Sequence, residues 1–392
     1  MSERRRILLV STQDYIHHPI PSRHHYISEE LALRHDVHVP HFHVSRGQER
    51  ETRLKVHEAT LFPLQSPLLH YTLNAPYHFS VIDRIIKEED IDIIVGAHVL
   101  AGAAMVRAAE KHNIPVLFDL KDWFPDSAAA YYNNRFLKEA IRSTVWKITR
   151  WNLSHSTRVT TVSPSLVRQL AKYGFSAGLI TNGVNTDLFY PRDLDVCKRE
   201  IGLNPESFVI GFAGSVERWY AIDQLIRMLP EIRSFCPEVH LLIVGGSLFT
   251  DYIDELKVLA ASLGLADIVT FTGGKRYDEL PLYMNAMDVC TIPLSPPQWV
   301  EIALPNKFFE YSACSRPILS TPIPDVEAIG GPHLQIYRSS AEFVEHVRRI
   351  YQERAKYTID FSQFSWKRKA AEFETVIEEV LSGDREVEKE DE

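Results

Sequence analysis

Short apolar runs rich in β-branched residues alternate along the chain with stretches in which apolar residues recur every three or four positions. The first pattern predicts buried strands and the second predicts amphipathic helices. In the first half, the predicted strands are Ile7–Val10, Val37–His41, Ile91–Gly96, Val116–Asp119, Val159–Val162 and Gly178–Thr181. The predicted helices between them include Arg23–Arg34, Ala101–His112 and Ser165–Tyr173. Such alternation is typical of a parallel sheet covered by helices on both faces.

The same alternation starts again in the second half, after a segment rich in Asn, Asp and Pro at Asn182–Asp195. Its predicted strands are Phe208–Ala213, His240–Val244, Ile268–Thr272, Val289–Ile292 and Pro317–Ser320. Its predicted helices include Ala221–Ile232, Ile253–Leu263, Leu280–Met287 and Asn306–Cys314, followed by a last helix over about Trp366–Leu381. A length of 392 residues also exceeds one ordinary domain. We therefore predict an α/β protein of two doubly wound, Rossmann-like domains, with ligands beyond the carboxyl ends of the strands.

Composition and charge narrow the class of protein. The apolar fraction of 45% is that of a globular chain, and no apolar run approaches the length of about 18 residues that spans a bilayer. The first apolar stretch, Ile7–Val10, is too short for a signal-peptide core, so we expect a cytoplasmic protein. A formal charge of −9 argues against a general nucleic-acid binder. Four widely spaced cysteines without a Cys-x-x-Cys motif predict reduced thiols.

The segment Val300–Pro317, VEIALPNKFFEYSACSRP, is the richest in candidate chemistry. Pro305 suits the first turn of a helix, whose free amide protons attract anions. Lys307 adds a full charge near that end, and Glu310 lies one turn further along the same face. A phosphate at the helix start and a hydroxyl-rich group at Glu310 would satisfy all three features. Spacing alone also fits, and by itself favours, a plain capped helix with a solvated Lys–Glu pair.

The order and spacing of several fragments resemble glycosyltransferase family 4. They are Thr161–Ser165 (TVSPS), Ile180–Phe189 (ITNGVNTDLF), Phe212–Asp223 (FAGSVERWYAID), Ile243–Gly246 (IVGG), Val269–Gly274 (VTFTGG), Asp288–Leu294 (DVCTIPL) and the Pro-x-Lys…Glu helix. The resemblance implies the GT-B fold, in which two Rossmann-like domains face a central cleft. It implies an N-terminal acceptor domain (1–185), a C-terminal nucleotide-sugar domain (186–362) and a helix that crosses back to the first domain (363–382). The acidic end, 383–392, is expected to be disordered.

The resemblance also implies roles for individual residues. Backbone and side chains of one set would bind the donor: Gly214, Arg218, Gly245, Gly273, Gly274, Lys275, Pro305, Asn306, Lys307 and Glu310. In the family a lysine usually stands two positions after Arg218, where this chain has Tyr220. A glutamate usually stands eight positions before Glu310, where this chain has Ile302. Either Glu301 takes that place through a shift of the loop by one residue, or backbone amides hold the sugar.

The acceptor is expected at the first domain. Leu117–Ala128, LFDLKDWFPDSA, resembles a turn in members that act on polysaccharide or lipid-linked precursors. Lys121 and Asp122 would act at the acceptor hydroxyl, with Trp123 beside them. The alternative is a surface Lys–Asp pair next to a buried tryptophan. Other candidates for the acceptor site are Arg23, His24 and His98.

Two further patterns have competing explanations. The segment 131–158 is basic and aromatic, which fits peripheral contact with anionic lipid at the inner face of the membrane, or a helix with inward tryptophans and solvated cations. Eight of the 17 histidines lie between His17 and His43. His41 and His43 would share a strand face, but no fixed carboxylate partner is evident, so no metal site is predicted.

The resemblance predicts retaining transfer of a sugar from a UDP- or GDP-sugar to a glycan, lipid-linked or small-molecule acceptor, without cofactor or metal. Arg218, Lys307 and the helix start would stabilise the leaving diphosphate. Two alternatives remain open. One is a nucleotide-sugar 2-epimerase on the same fold, and the other is a catalytically idle nucleotide- or carbohydrate-binding protein.

Overall fold

The computed structural model describes the chain except for residues 1–2, 19, 46, 65, 130–131, 133, 248–249, 296–301, 303 and 384–392. The chain forms two compact units. The N-terminal unit contains residues 1–181 together with the end of the chain from Trp366, and the C-terminal unit contains Asn182–Ser365.

A seven-stranded parallel sheet organises the N-terminal unit, in the order β3-β2-β1-β4-β5-β6-β7. Its strands are β1 (Arg6–Val10), β2 (Asp36–His41), β3 (Lys55–Glu58), β4 (Ile93–Gly96), β5 (Val116–Leu120), β6 (Arg158–Thr161) and β7 (Gly178–Leu179). Every residue of β4 and β5 is buried, because helices cover both faces of a doubly wound sheet. The register places Ile7 opposite Val37 on one side and Ile93 on the other.

Eight helices of the described chain surround this sheet. They are α1 (Arg23–Leu31), α2 (Pro67–Leu73), α3 (Ala75–Glu88), α4 (Val99–His112), α5 (Phe124–Ala129), α6 (Arg135–Ser154), α7 (Pro164–Ala171) and, from the end of the chain, α15 (Trp366–Ser382). Helix α15 packs on α1 through Trp366, whose ring stacks on Tyr26 with centroids 5.4 Å apart. Phe373 and Ile377 of α15 are fully buried in the same core as Ile7 and Leu9.

The C-terminal unit contains a six-stranded parallel sheet in the order β10-β9-β8-β11-β12-β13. Its strands are β8 (Phe208–Ala213), β9 (Val239–Val244), β10 (Val269–Phe271), β11 (Val289–Ile292), β12 (Ile318–Ser320) and β13 (Leu334–Ile336). Its helices are α8 (Leu194–Glu200), α9 (Ile222–Arg233), α10 (Tyr252–Ser262), α11 (Leu280–Asn285), α12 (Asn306–Ala313), α13 (Pro324–Ile329) and α14 (Ser340–Glu353). The described part of this unit also contains 3-10 turns at Tyr277–Glu279 and Ser362–Phe364.

The two parallel sheets confirm the predicted α/β fold class, and every strand predicted from the apolar runs is present. Two strands were missed, β3 and β13, and each lies at the edge of its sheet. The residues of β3 are mostly exposed and those of β13 are half-buried, so neither carries the continuous apolar run of a central strand. The predicted first helix is also too long, since α1 ends at Leu31.

Three other expectations can be compared with the structure. All four cysteines are unpaired and buried. Within the described residues, no helix has both the length and the apolar composition needed to cross a bilayer. Residues 384–392, nearly all of the acidic end, lie outside the described chain.

A buried ion pair joins α8 to the central strands of the C-terminal unit. The Lys198 Nζ atom lies 2.8 Å from Asp288 Oδ2, and the two side chains are only 1% and 5% exposed. The same carboxylate accepts the Val209 amide at 2.8 Å, and Lys198 also donates to the Ser207 carbonyl at 2.7 Å. These contacts pair both charges although little of either side chain is exposed.

We expect Lys198→Met to destabilise the C-terminal unit by about 3 kcal/mol, because it leaves the Asp288 carboxylate buried without its main counter-charge. Chemical denaturation followed by circular dichroism measures the change. Lys257→Met removes an exposed pair with Asp254, whose side chains are 52% and 71% exposed, and should change stability by less than about 1 kcal/mol. Equal effects of the two substitutions would contradict the prediction.

Candidate functional site

Three glycine turns meet at the carboxyl ends of β8, β9 and β10. Gly214 and Gly245 have φ angles of 141° and 139°, which side-chain-bearing residues rarely adopt. A Cβ atom on Gly245 would lie 1.9 Å from the Gly214 carbonyl oxygen, so the backbones approach too closely for any side chain. The Gly245 amide donates to the Gly273 carbonyl at 3.0 Å, which ties the third turn to the other two.

Helix α12 begins beside these turns and carries Lys307. Pro305 is the residue before the helix, with extended backbone angles and no side-chain cap, rather than a residue of the first turn as predicted. The Lys307 side chain is 7% exposed, and its Nζ atom would be only 2.9 Å from a Cβ on Gly214. Lysine, glycine turns and helix start therefore converge at one place in the C-terminal unit.

The Lys307 amine is buried without a hydrogen-bond acceptor in the described part of the chain. Its Nζ atom lies 3.5 Å from the ring centroid of Tyr220 and 4.0 Å from that of Phe212, so aromatic faces replace acceptors around it. Burial lowers the pKa of Lys307 well below its usual range, although the nearby Glu310 carboxylate opposes this shift. An anion at this point would supply the missing partner and favour the charged amine.

Glu310 lies one helical turn beyond Lys307 and is half-buried. Its Oε1 atom accepts a hydrogen bond of 3.0 Å from the Tyr277 hydroxyl. Burial raises the pKa of Glu310 to about 7, against the opposing effects of the Tyr277 hydrogen bond and of Lys307. The next residue, Tyr311, fixes the helix to β8, since its hydroxyl accepts the Ala213 amide at 2.8 Å.

The other residues predicted to bind the donor have different contacts or are exposed. Arg218 is 58% exposed, pairs with Glu255 of α10 and lies 5.3 Å from the Tyr252 ring. Lys275 lies 5.2 Å from the Tyr283 ring. Gly274 and Asn306 are exposed, next to Gly273 and Lys307 respectively. Glu301 falls outside the described residues.

Sequence reasoning missed the tyrosines that shape this site. Tyr277 lies 33 positions before Glu310, in a turn with no recognisable motif. Tyr220 stood out only as the absence of an expected lysine, yet its ring covers the Lys307 amine. Tyr311 could have been found, because it lies four residues after Lys307 on the same helix.

In the N-terminal unit, Arg23 and His24 have a different role from the predicted acceptor contact. Their side chains are 2% and 1% exposed, and both bind the buried Asp119 carboxylate, Arg23 Nε and His24 Nε2 at 2.8 and 2.9 Å. Thr160 also donates to Asp119, at 2.9 Å. Although burial opposes it, the Arg23 charge holds the pKa of Asp119 well below its usual range. The Arg23 guanidinium group and the Nε2 atom of His24 are thus bonded inside the unit.

Lys121 and Asp122 follow β5 and are half-buried rather than fully solvated. Burial lowers the pKa of Lys121 and raises that of Asp122, the latter against a hydrogen bond from Ser127. Trp123 is 4% exposed and packs against Trp146 and Tyr173, so it is not available to an acceptor. The alternative of a buried tryptophan is therefore correct for this residue.

His98 caps helix α4 and lines an apolar cavity. Its Nδ1 atom accepts the Ala101 amide at 3.0 Å, and burial lowers its pKa to about 3. The cavity has a volume of about 550 Å³ within the N-terminal unit. Apolar side chains of α4, α5 and α6 line it, including Val99, Leu100, Phe124, Ile141, Val145 and Ile148.

Comparisons with known protein families identify the chain. Residues 24–188 match the family described as Glycosyltransferase Family 4, and residues 207–353 match the one described as Glycosyl transferases group 1. Together the two matches cover about four fifths of the chain. The chain belongs to glycosyltransferase family 4. This family 4 protein carries its glycine turns, Lys307 and Glu310 within the second matched region.

Curated relatives support the same family over part of the chain. The D-inositol 3-phosphate glycosyltransferase of Stackebrandtia nassauensis is 33% identical over 155 residues, which are 38% of this chain and 32% of that protein. The GDP-mannose-dependent alpha-(1-6)-phosphatidylinositol monomannoside mannosyltransferase of Mycolicibacterium smegmatis is 34% identical over 160 residues, 39% of this chain and 41% of that protein. The match thus spans well under half of either relative.

Solved structures agree on the fold over nearly the whole chain. Sucrose-phosphate synthase from Thermosynechococcus elongatus has a TM-score of 0.75 at 16% identity, with 97% of this chain and all of that one covered. Anabaena HepE, solved in complex with UDP and glucose, has a TM-score of 0.69 at 17% identity and the same coverage. The family 4 protein therefore has the GT-B type of fold that the sequence motifs implied.

We expect Glu310→Gln to stabilise the protein at pH 8 and to lose this advantage as the pH falls. A carboxyl whose pKa is raised to about 7 in the folded state costs stability above that pH, and the cost disappears towards the ordinary value of 4.5. Melting temperatures of both proteins between pH 5 and pH 8 measure the difference. Glu345→Gln, at a position 73% exposed on α14, is the control and should give none. A pH-independent difference for Glu310→Gln would disprove the interpretation.

Proposed function

We propose that this family 4 protein is a retaining glycosyltransferase that moves a sugar from a nucleoside-diphosphate sugar to a carbohydrate or lipid-linked acceptor. The observation that carries the proposal is the buried Lys307 amine, which has no acceptor among the described residues and lies beside the Gly214 turn. An ammonium group in such surroundings is unfavourable unless an anion pairs with it. Helix α12 begins at the same place and favours negative charge through its dipole.

The donor can be assigned to this site group by group. Lys307 pairs with the diphosphate and stabilises the negative charge that develops on it as the sugar leaves. Gly214 and Gly245 let the phosphates approach the backbone, because no Cβ intervenes. The Glu310 carboxylate accepts hydrogen bonds from the ribose hydroxyls, and the hydrogen bond from Tyr277 fixes the orientation of this carboxylate. Gly273, Gly274 and Lys275 line the nucleobase, mainly through the backbone.

Arg218 would join the diphosphate only by leaving Glu255. Both side chains are more than half exposed, and an exposed ion pair contributes about 0–1 kcal/mol. A doubly charged diphosphate offers more than this to a guanidinium group. We therefore propose that Arg218 leaves Glu255 and becomes a second phosphate ligand when the donor binds.

The acceptor is assigned to the end of β5. Asp122 there has a raised pKa because it is half-buried, which suits a carboxylate that exchanges a proton with or orients a hydroxyl group. Retention of configuration follows the family: the nucleoside diphosphate leaves the sugar, one of its oxygens takes the acceptor proton, and the acceptor oxygen bonds to the sugar from that same face, so no protein nucleophile is needed. Lys121 beside Asp122 supplies a cation for a phosphorylated acceptor.

A lipid-linked acceptor is supported by apolar features of the N-terminal unit. The cavity of about 550 Å³ has a predominantly apolar lining. Phe136 and Leu137, in the first turn of α6, are 86% and 46% exposed, next to Arg135 and Lys138. Exposed aromatic and basic side chains on one helix end bind anionic lipid surfaces. The tryptophan of α6 at position 146 packs inward, so the first turn and not the aromatic centre of the helix would touch the membrane.

We expect UDP or GDP to raise the melting temperature of the wild-type protein and to leave that of Lys307→Met unchanged. A ligand that binds the folded state stabilises it by mass action, and this substitution removes the diphosphate partner while filling the same space. Lys257→Met, at an exposed lysine of the same unit, is the matched control and should keep the wild-type shift. A chain that no nucleoside diphosphate stabilises would refute the donor assignment.

Products formed from the donor separate the proposed transfer from its alternatives. Incubation with a nucleotide-sugar and an acceptor should release nucleoside diphosphate in the wild type and none in Lys307→Met. Conversion of the donor sugar without any acceptor would instead indicate an epimerase. Nucleotide binding without turnover of any donor would indicate an idle binding protein.

We expect the protein to co-sediment with vesicles containing phosphatidylglycerol and Phe136→Ser to bind them about tenfold less. Burying a phenylalanine side chain contributes about 1.5–3 kcal/mol, and partial insertion into the membrane should keep enough of this free energy for about a tenfold effect on binding. Val258→Ser, at a position 69% exposed in the C-terminal unit, is the control. Unchanged binding of Phe136→Ser would rule out this surface as the membrane contact.

A further inference from the structure

Three potential metal ligands meet at the carboxyl ends of neighbouring strands in the N-terminal unit. Asp14 and His17 lie in the loop between β1 and α1, and His41 is the last residue of β2. Strands β1 and β2 are adjacent and parallel, so their carboxyl ends lie side by side. This part of the chain is distinct from the donor site, which lies in the other unit.

The three ligand atoms form a compact triangle. His17 Nδ1 and His41 Nε2 are 3.1 Å apart, and Asp14 Oδ1 lies 3.4 Å from His41 Nε2 and 3.6 Å from His17 Nδ1. Zinc binds histidine nitrogen and carboxylate oxygen at about 2.0–2.2 Å, which makes the edge of a tetrahedral site about 3.3–3.6 Å. The two edges to Asp14 fall within this range and the His17–His41 edge of 3.1 Å is slightly shorter, so the three atoms approximate one face of a zinc tetrahedron.

Neighbouring groups hold these ligands in place. The Nδ1 atom of His41 lies 2.7 Å from Glu58 Oε1 at the end of β3, which leaves the Nε2 lone pair free to face the other two ligands. Such a carboxylate behind a ligating histidine is usual in zinc sites. Asp14 is fully buried, and its Oδ2 atom accepts the amides of Val44 and Ser45 at 3.0 and 2.9 Å. His41 therefore has two carboxylate partners that the sequence did not reveal, Asp14 and Glu58.

A cation explains the convergence better than hydrogen bonding alone. A neutral imidazole has one N–H donor, so hydrogen bonding can account for one pair of these three atoms at a time. A shared proton can bridge one pair of these atoms, whereas a metal ion satisfies all three. The ligands are two nitrogens and one oxygen, a set that favours zinc and other late transition metals over magnesium or calcium.

We propose that Asp14, His17 and His41 form a Zn²⁺ site that fastens the β1–α1 loop to the end of β2. Among the described residues these three contribute the ligand atoms of the group, so water completes the tetrahedron. A second group, His38, His57 and Glu89, is less compact: His38 Nδ1 bonds to His57 at 3.0 Å, but Glu89 lies 3.8 Å from the other nitrogen of His38. We assign the ion to the first group.

Cobalt substitution tests the site directly. Protein made without a histidine tag is stripped with a chelator and titrated with Co²⁺, whose visible absorption reports tetrahedral coordination. We expect one equivalent to bind with intense bands and without sulfur-to-cobalt absorption, because the four cysteines are buried elsewhere. Zn²⁺ should displace Co²⁺ and raise the melting temperature of the wild type by several degrees.

Variants decide which residues hold the ion. His17→Ala should lose the cobalt bands and the zinc-induced stabilisation while keeping the far-ultraviolet circular dichroism of the wild type. His112→Ala is the matched control. The His112 and His17 side chains are both 18% exposed and both contact a carboxylate, but His112 lies outside the group of proposed ligands. His57→Ala addresses the second group and should bind cobalt normally.

Three results would overturn the proposal. They are a wild type that gives no tetrahedral cobalt spectrum and no zinc stabilisation, a spectrum that persists in His17→Ala, and a spectrum lost in His57→Ala. The first would mean that a proton alone bridges the cluster. The wild-type measurements need no variant, so they test the proposal even if His17→Ala fails to fold.

Discussion

Burial of the Lys307 amine, with no acceptor in the described part of the chain, is the constraint around which the C-terminal unit is arranged. A lone ammonium group in a protein interior is costly, and a fold usually avoids it or neutralises it. Here the helix that carries it is fixed to β8 by Tyr311, while Tyr220 and Phe212 surround the amine with aromatic faces. In the proposed function, an anionic ligand completes the interactions of this group.

The N-terminal unit treats its buried charges in the opposite way. Asp119 receives Arg23, His24 and Thr160, so the carboxylate is paired within the unit itself. Such a network fixes α1 to the end of β5 and leaves its donors little capacity for a substrate. The contrast separates a structural charge cluster from the proposed binding site: the fold satisfies the charges of the first, whereas the Lys307 amine of the second has no acceptor among the described residues.

The aromatic residues around α5 and α6 likewise fall into two kinds, packed and exposed. Trp123, Trp146 and Tyr173 pack on one another and stabilise the region around α5 and α6. Phe136 at the start of α6 is 86% exposed. By composition the whole segment 131–158 is basic and aromatic. In the structure, Trp146 of this segment is packed whereas Phe136 is exposed.

The sequence by itself determined the alternation of strands and helices, the α/β class and the family, because apolar periodicity and short motifs are local properties. It also placed Lys307 and Glu310 on one face of a helix, since their spacing is one turn. It missed β3 and β13, which lie at sheet edges and need no continuous apolar run. Only the tertiary structure brought Tyr277 to Glu310, Asp119 to Arg23 and Asp14 to His41, because these pairs are distant in the sequence and meet where parallel strands end together.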